Sequence, residues 1–477
     1  MKKQCTRRSF LASSLAAGAF PFLPGCLAPG QKWSPNSKVR LACCGIGGMG
    51  GEDVRQMFAT GLCDIVALCD TDLGATHTLE NLKKFPKAKR FHDFRELFDK
   101  AGDEFDAITA GVPDHSHFPI AMRAMKEGKA IYTEKPMGHT FREIQVMMDA
   151  AEKYKVVTQM GNQGHSCDNY YQMRDYVKNG VIDPNKIVKL NAHMNYARRW
   201  HHWNGKVNKL PMTSCPLPAT MTAKDWDTWR GTVTADVPFS KELAYGEWRS
   251  WYAFGNGCLG DWGAHLFDTL HEFLELGLPT EIAISEVEGW NPFVFPMKDT
   301  LKFTFPKTAK RKARDLVWRE GLGNYPELPK GFVIKGADGV PTSGGQDFSK
   351  LESLPAGREI WMEDGTVWQG GSHNASLIKS GAPDAVLPDW EYRGGGCNWP
   401  NQHWENFLRA VRGEIETTSP FRVAGPLSQV FTLGCIAQRL NRSLKFDPVA
   451  KKFLGDDEAN ALLAPAPRAG WECYYEI

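Results

Sequence analysis

The sequence predicts an α/β protein of two domains: a doubly wound parallel sheet first, then an α+β domain built on an open, mainly antiparallel sheet. Three observations carry this prediction. Short apolar runs alternate with helical patterns from Val39 to Met160, a glycine-rich turn leaves the first of those runs, and from Leu190 onward the hydrophobic period drops to two.

The elements follow in order. Apolar runs at 39–44, 65–68, 105–110, 129–133 and 155–160 read as buried parallel strands, and 72–84, 117–127 and 141–154 as helices between them. Beyond them, 190–196, 281–288 and 301–305 alternate apolar and polar residues. Residues 359–363 and 366–368 flank Asp364-Gly365, a two-residue hairpin signal. The segment 307–355 is rich in Gly, Pro and Lys and reads as surface loop. The expected boundaries are a signal at 1–26, a nucleotide domain at 38–160, and a domain for substrate and self-association at 161–475.

The glycine-rich turn is Gly45-Ile46-Gly47-Gly48-Met49-Gly50, and Asp70 closes the second strand twenty residues beyond Gly50. Alone, such a turn is often only a turn. With Asp70 it reads as a dinucleotide site. Gly45 allows the tight turn, Gly47 lets backbone N–H groups approach a pyrophosphate, and Gly50 lets the next helix pack on the sheet. The helix start supplies unpaired N–H donors. A carboxylate at Asp70 accepts both ribose hydroxyls and repels a 2′-phosphate, so NAD is expected rather than NADP.

The first thirty residues point to export. Thr6-Arg7-Arg8-Ser9-Phe10-Leu11 fits a twin-arginine signal, and the apolar stretch at 11–23 is too short to span a bilayer comfortably. Leu23-Pro24-Gly25-Cys26 resembles a lipobox, which would leave Cys26 lipidated; an ordinary cleavage site and a soluble periplasmic protein is the alternative. An exported enzyme meets little free nicotinamide cofactor, whereas the twin-arginine route carries folded proteins. The cofactor is therefore expected to be loaded before export, tightly held and recycled in place.

Composition agrees with a soluble enzyme of 477 residues. The formal charge is +2, but Lys2, Lys3, Arg7 and Arg8 lie in the signal with no acid among them, so removing them leaves about 2 − 4 = −2. No basic field favours nucleic acid, and membrane attachment rests on Cys26 alone. Of the twelve cysteines, Cys43, Cys44, Cys63 and Cys69 lie in or beside apolar runs and read as buried thiols. Gly164-His165-Ser166-Cys167-Asp168 lacks the last glycine of a nucleophile elbow, and His271-Glu272 lacks the second histidine of a zinc helix. Neither a serine hydrolase nor a metal site is expected.

Two further motifs carry chemistry. Thr133-Glu134-Lys135-Pro136 ends a strand, in the crevice where ligands of such sheets bind; taken alone, a Lys-Pro there is more often a turn. The second is Gly255-Asn256-Gly257-Cys258-Leu259-Gly260-Asp261-Trp262-Gly263-Ala264-His265, in which Asp261 and His265 share one helix face. A helix-start Asp paired with a structural His is the plain alternative. Oxidising a carbinol requires loss of its hydroxyl proton, a task suited to His265 with Asp261 orienting the ring, while Lys135 can hydrogen-bond the same oxygen.

In this order, the Gly45 turn, Asp70, Glu134-Lys135-Pro136 and the Asp261/His265 pair make the chain resemble the glucose-fructose oxidoreductase / inositol dehydrogenase / rhizopine-catabolism family (Gfo/Idh/MocA) over about residues 38–475. Asp93-Phe94-Arg95-Glu96-Leu97, Pro113-Asp114-His115-Ser116-His117, Trp248-Arg249 and His403-Trp404-Glu405-Asn406-Phe407 add to the match. The resemblance implies an N-terminal Rossmann domain, an open antiparallel sheet that builds dimers or tetramers, a cis Lys135-Pro136 bond and oxidation of sugars or cyclitols. It makes Lys135 the catalytic lysine, with Asp261 and His265 the acid/base pair. The NAD contacts expected from the motifs are Gly45, Ile46, Gly47, Gly48, Met49, Gly50, Asp70, Pro113, His117, Glu134, Lys135 and Asn162.

Two stretches look specialised. Asn162, Gln163 and His165 leave the last strand of the nucleotide domain and could face nicotinamide and substrate, or form a polar capping loop. Trp200, Trp251 and Trp262, with Arg198, could offer flat faces and donors to a sugar, or simply fill the gap between domains. Sixteen tryptophans favour carbohydrate. The function expected is NAD-dependent oxidation of a sugar or glycoside hydroxyl. A redox-assisted glycoside hydrolase uses the same residues, and a catalytically silent sugar-binding protein is the third possibility.

Overall fold

A computed structural model describes residues 34, 36–195, 206–328, 334–335, 341–342, 356–371, 376–382, 385–391 and 402–477. The signal segment with Cys26, and Arg198 and Trp200, lie outside the described residues.

The first sheet is fully parallel. Its strands are β1 (Val39–Cys44), β2 (Cys63–Cys69), β3 (Lys89–Phe91), β4 (Ala107–Ala110), β5 (Ala130–Glu134) and β6 (Thr158–Gly161), in the order β3-β2-β1-β4-β5-β6. This is the doubly wound order with its switch point between β1 and β4, where the carboxyl ends open a crevice. Helices α1 (Gly48–Ala59), α2 (Leu79–Lys84), α3 (Phe94–Ala101), α4 (Asp114–Lys126) and α5 (Phe141–Tyr154) connect the strands. The chemistry of α5 is local: Thr140 and Glu143 form a reciprocal capping box, and Lys155 ends the helix in the left-handed region at φ 52°. The helix expected at 72–84 is shorter. The Asp72 carboxylate accepts the Gly74 N–H at 3.2 Å, and a Cβ on Gly74 would lie 2.1 Å from Thr220 Cγ2, so the chain turns there until Leu79.

Helix α6 (Asp168–Lys178) leads into the second sheet: β7 (Ile187–Met194), β8 (Glu281–Glu288), β9 (Lys298–Phe305), β10 (Arg314–Glu320), β13 (Gly357–Met362), β14 (Val367–Gly371), β15 (Ile378–Lys379), β16 (Leu444–Asp447) and β17 (Lys452–Phe453). Their order is β15-β14-β13-β7-β10-β9-β8-β16-β17, with β7 and β10 the parallel pair among antiparallel neighbours; β11 (Ile334–Lys335) and β12 (Pro341–Thr342) form a separate small ladder. The hairpin at Asp364-Gly365 joins β13 to β14, with Gly365 at φ 82°. Strand β10 corrects the expected loop at 307–355. Its charged residues hide the period, but Leu316, Trp318 and Glu320 turn inward and are buried.

Four later helices tie the halves together. In α7 (Ala223–Arg230) a second capping box, Thr222 with Asp225, starts the helix, and the surrounding segment has its own core of Met221, Trp226, Phe239, Trp248 and Trp251. Helix α8 (Gly257–Leu266) and its continuation α9 (Asp268–Phe273) lie between the sheets. Near the C-terminus, α10 (Gln402–Val411) returns to the first domain, where Trp404, Phe407, Leu408 and Val411 share a core with Val39, Leu41 and Val54. Of the described cysteines Cys167 is disulfide-bonded, whereas Cys43, Cys44, Cys63 and Cys69 are buried free thiols.

Candidate active site

The nucleotide cleft is built at the carboxyl ends of β1, β2, β4 and β5. Gly45 leaves β1 at φ 75°, and a Cβ there would stand 2.2 Å from the Gly111 carbonyl oxygen, so only glycine fits. Asp70, just past β2, is held by backbone donors: the Ile46 N–H at 3.0 Å and the Asp72 N–H at 3.1 Å. Its carboxylate keeps acceptor capacity toward a cavity of about 450 Å³ lined by Gly45, Gly47, Gly48, Asp70, Pro113 and Glu134 among others. The volume, the glycine turn and the oriented carboxylate fit a dinucleotide. Met49 and Gly50 also line it; Ile46 serves through its backbone N–H.

A lid from the second domain covers this cleft. Met221, Trp226, Trp229, Phe239, Tyr245, Trp248 and Arg249 close one wall of the cavity. Tyr245, at φ 55°, donates its hydroxyl to Asp72 Oδ2 at 2.9 Å and meets the His77 ring edge-to-face at 5.3 Å. His77 in turn packs over the turn: a Cβ on Gly47 would stand 1.8 Å from His77 Cδ2. Lys224 bonds Glu96 at 2.6 Å, and Arg468 donates to the carbonyls of Asp227 and Gly231.

At the β5 end, the Lys135–Pro136 peptide is cis. The Lys135 amine donates to Asp261 Oδ1 at 2.5 Å and to the Asp261 carbonyl at 3.0 Å. Both side chains are largely shielded, at 11% and 3% exposure, so little water screens the pair. Arg249 Nε lies 3.8 Å from the same carboxylate oxygen and its guanidinium stacks 4.1 Å from the Trp248 ring. His265 stands one turn beyond Asp261 on α8, also buried, with the Trp262 ring 6.0 Å away edge-to-face. Helix α8 is fixed against the nucleotide domain by Asp114, which accepts the Asn256 N–H at 3.0 Å. Burial pushes the Asp114 carboxyl up to about 7, against the pull of Arg249 and Lys135.

Five expected contacts sit behind the cleft instead. His117 donates Nδ1–H to the Pro136 carbonyl at 2.8 Å; burial holds this ring neutral, with its pKa near 4, so it braces the Lys135-Pro136 turn and is not a cofactor contact. Asn162 donates to Asp268 Oδ1 at 2.7 Å and is enclosed. His165 is fully buried between Asp268 at 2.7 Å and Glu272 at 2.8 Å. Burial alone would lower its pKa, but the two carboxylates outweigh that and raise it to about 10, so the ring is a structural cation. Trp251 has no exposed surface and donates its indole N–H to the Glu242 carbonyl at 2.8 Å; it is lid core, not a sugar platform. Gln163, also buried, donates to Glu134 Oε1 at 2.7 Å.

Spacing alone gave no sign of Arg249, Asp114 or Tyr245 as site residues. The first two stand in the motifs quoted above, but Asp114 meets Asn256 from a segment 142 residues away, and Arg249 reaches Asp261 only through the folding of the loop that precedes α8. Tyr245 has a local trace only in the Gly246 that follows it.

The comparisons agree with this architecture. The model of the oxidoreductase family's NAD-binding Rossmann fold matches residues 39–162, and that of the same family's C-terminal alpha/beta domain matches 383–473. The chain is 26% identical over 146 residues to an inositol 2-dehydrogenase/D-chiro-inositol 3-dehydrogenase of Lactiplantibacillus plantarum, covering 30% of this chain and 41% of that protein. It is 30% identical over 146 residues to a glycosyl hydrolase family 109 protein of Stenotrophomonas maltophilia, covering 29% and 31%. The matches thus span less than half the length of these relatives. In structure it is similar to the WlbA dehydrogenase of Chromobacterium violaceum, solved with NADH and UDP-GlcNAcA, at a TM-score of 0.57 and 13% identity over 87% of this chain and 98% of that one. At that identity the likeness speaks for the fold. With both domains matched and an NAD-binding Rossmann site in place, the chain belongs to the Gfo/Idh/MocA family of oxidoreductases.

Proposed function

We propose that the protein oxidises a hydroxyl of a sugar or glycoside with NAD that stays bound and is recycled in place. The observation that carries this reading is the Lys135–Asp261 pair, with His265 one turn along the same helix, beside the β5 end of the covered dinucleotide cleft. When bound, NAD supplies a hydride acceptor. His265 takes the proton of the reacting hydroxyl as its carbon becomes a carbonyl, Lys135 hydrogen-bonds the oxygen, and Asp261 holds the lysine in place. The low exposure of all three strengthens each of these interactions. The lid supports retention, since leaving the cleft requires Tyr245 and the tryptophans to move. Trp262, beside His265, is the aromatic face offered to a sugar ring.

The same reading places the working enzyme outside the inner membrane, on the twin-arginine pattern at Thr6–Leu11 and with Cys26 as a lipid anchor. The disulfide at Cys167 suits an oxidising compartment. A homo-oligomer built on the open sheet is part of the proposal.

A redox-assisted glycoside hydrolase is the second reading, supported by the similarity to family 109 proteins. Incubation with a panel of glycosides, following both cofactor absorbance and released sugar, separates the two. Net oxidation without cleavage supports the dehydrogenase; sugar release with solvent deuterium in the ring supports the hydrolase. Mass spectrometry of the denatured, freshly purified protein should release NAD. A protein that purifies empty and needs millimolar NAD contradicts retention.

A further inference from the structure

We infer that closure of the lid reads the adenosine ribose: the Tyr245–Asp72 bond forms over NAD and is barred by the 2′-phosphate of NADP, so these two residues decide which dinucleotide the protein keeps. The inference rests on the reading above that NAD stays bound. Asp70 is the carboxylate that meets the ribose hydroxyls. Asp72 stands beside it: its N–H donates to Asp70 Oδ1 at 3.1 Å, it is buried, and both residues line the same cavity. Its Oδ1 accepts the Gly74 N–H at 3.2 Å, which leaves Oδ2 for the Tyr245 hydroxyl at 2.9 Å. Tyr245 and Gly246 reach the cavity from the second domain, both at positive φ, 55° and 114°. From there the cover is continuous. Tyr245 meets His77 edge-to-face and His77 packs on Gly47, so one latch spans the cleft from the ribose carboxylates to the glycine turn.

The chemistry of this end favours a hydroxyl over a phosphate. A ribose 2′-OH can donate to Asp70 and leaves the latch as it stands. A 2′-phosphate is an acceptor with about two negative charges, and it meets the carboxylates of Asp70 and Asp72. The single proton of the Tyr245 hydroxyl cannot serve Asp72 and a phosphate together. Cations do not rescue it. Among the described residues lining the cavity, Arg249 is the one arginine or lysine, and it lies at the β5 end beside Asp261. The histidines at the ribose end are engaged, His77 against Tyr245, and His92 with the Thr71 carbonyl at 3.3 Å and Asp225 at 3.8 Å. A 2′-phosphate therefore holds the Tyr245 loop away, which also uncovers His77 and the turn. Selection falls on how long a nucleotide is kept, after Asp70 has acted on its binding.

The test loads the protein with NAD⁺ or NADP⁺, removes free nucleotide by gel filtration, and counts what stays bound with time. Asp70→Asn serves as the background, because it removes the first barrier to a 2′-phosphate and leaves the latch. It should still release NADP⁺ about tenfold faster than NAD⁺, and adding Asp72→Asn, which keeps an acceptor for Tyr245 but not the charge, should close that gap. NADP⁺ that loads only once Asp72 is also changed is the same result. Tyr245→Phe in wild type should speed NAD⁺ release several-fold and leave NADP⁺ release, or its failure to load, as it was. This exposed side chain keeps the measurement open if a variant at Asp70 does not fold. Asp70→Asn that keeps NADP⁺ as long as NAD⁺ overturns the inference. So does a gap that Asp72→Asn does not move, or a Tyr245→Phe effect of equal size on both nucleotides. Rapid loss of NAD⁺ from wild type contradicts retention instead, and the ratio between the two nucleotides then decides the inference alone.

Discussion

Replacing Lys135 by methionine keeps the aliphatic stem and removes the amine. In the wild type that amine lies 2.5 Å from an Asp261 carboxylate that is 3% exposed. Removing one partner of such a pair strands a buried charge, at a cost of about 3–5 kcal/mol. Arg249, 3.8 Å from the same oxygen, offsets part of this, so Lys135→Met should lower the free energy of unfolding by roughly 2–4 kcal/mol. Adding Asp261→Asn removes the stranded charge and should recover most of that loss. Turnover behaves differently: both variants lose the positioned amine, and the double variant also loses the carboxylate, so each should fall by about 10²–10⁴. Urea denaturation gives the first quantity and single-turnover cofactor reduction the second. A Lys135→Met variant as stable as wild type would refute the buried pair. A double variant that regains turnover along with stability would refute the catalytic role.

Two further outcomes are expected. Burial and Asp299 push Glu320 well above an ordinary glutamate, and burial pushes Asp299 up to about 7. Acids raised on folding stabilise fully below their unfolded pKa and lose that contribution as pH rises through the folded value, so stability should fall from about pH 4 to above pH 7. Glu320→Gln should flatten this decline and be the more stable protein at pH 8 by denaturant titration; an unchanged slope contradicts the assignment. In the lid, Tyr245→Phe removes the hydrogen bond to Asp72, worth about 1 kcal/mol at a half-exposed site, and should speed NAD release several-fold in a displacement assay. Equal release rates would mean the lid does not govern retention.

What the sequence made legible is what depends on local pattern. The five parallel strands that were expected are short apolar runs, and α5 matches its expected span because Thr140 and Glu143 cap it within four residues. Gly45 and Asp70 announce themselves by spacing along one βαβ unit, and Glu134 by its place at the end of a later strand. The losses are non-local. Strand β10 is disguised by Arg314, Asp315 and Arg319, whose side chains have an open face to point toward. Trp251 and His165 are residue types that suit a sugar site, and only packing reveals that one fills the lid core and the other is locked between two carboxylates. Asp53 carries no motif of its own, because its partner Trp404 is brought to it by the fold.

In the proposed chemistry Lys135, Asp261 and His265 work on one hydroxyl beside a retained cofactor. The most direct measurement is single-turnover reduction of the bound cofactor by a carbohydrate deuterated at the reacting carbon, in wild type and His265→Ala. Reduction should show a primary isotope effect in wild type and run about 10²–10⁴ slower in the variant, with cofactor still bound. A cofactor that stays oxidised while glycoside is cleaved without an isotope effect, or a variant that reduces it at the wild-type rate, would contradict it.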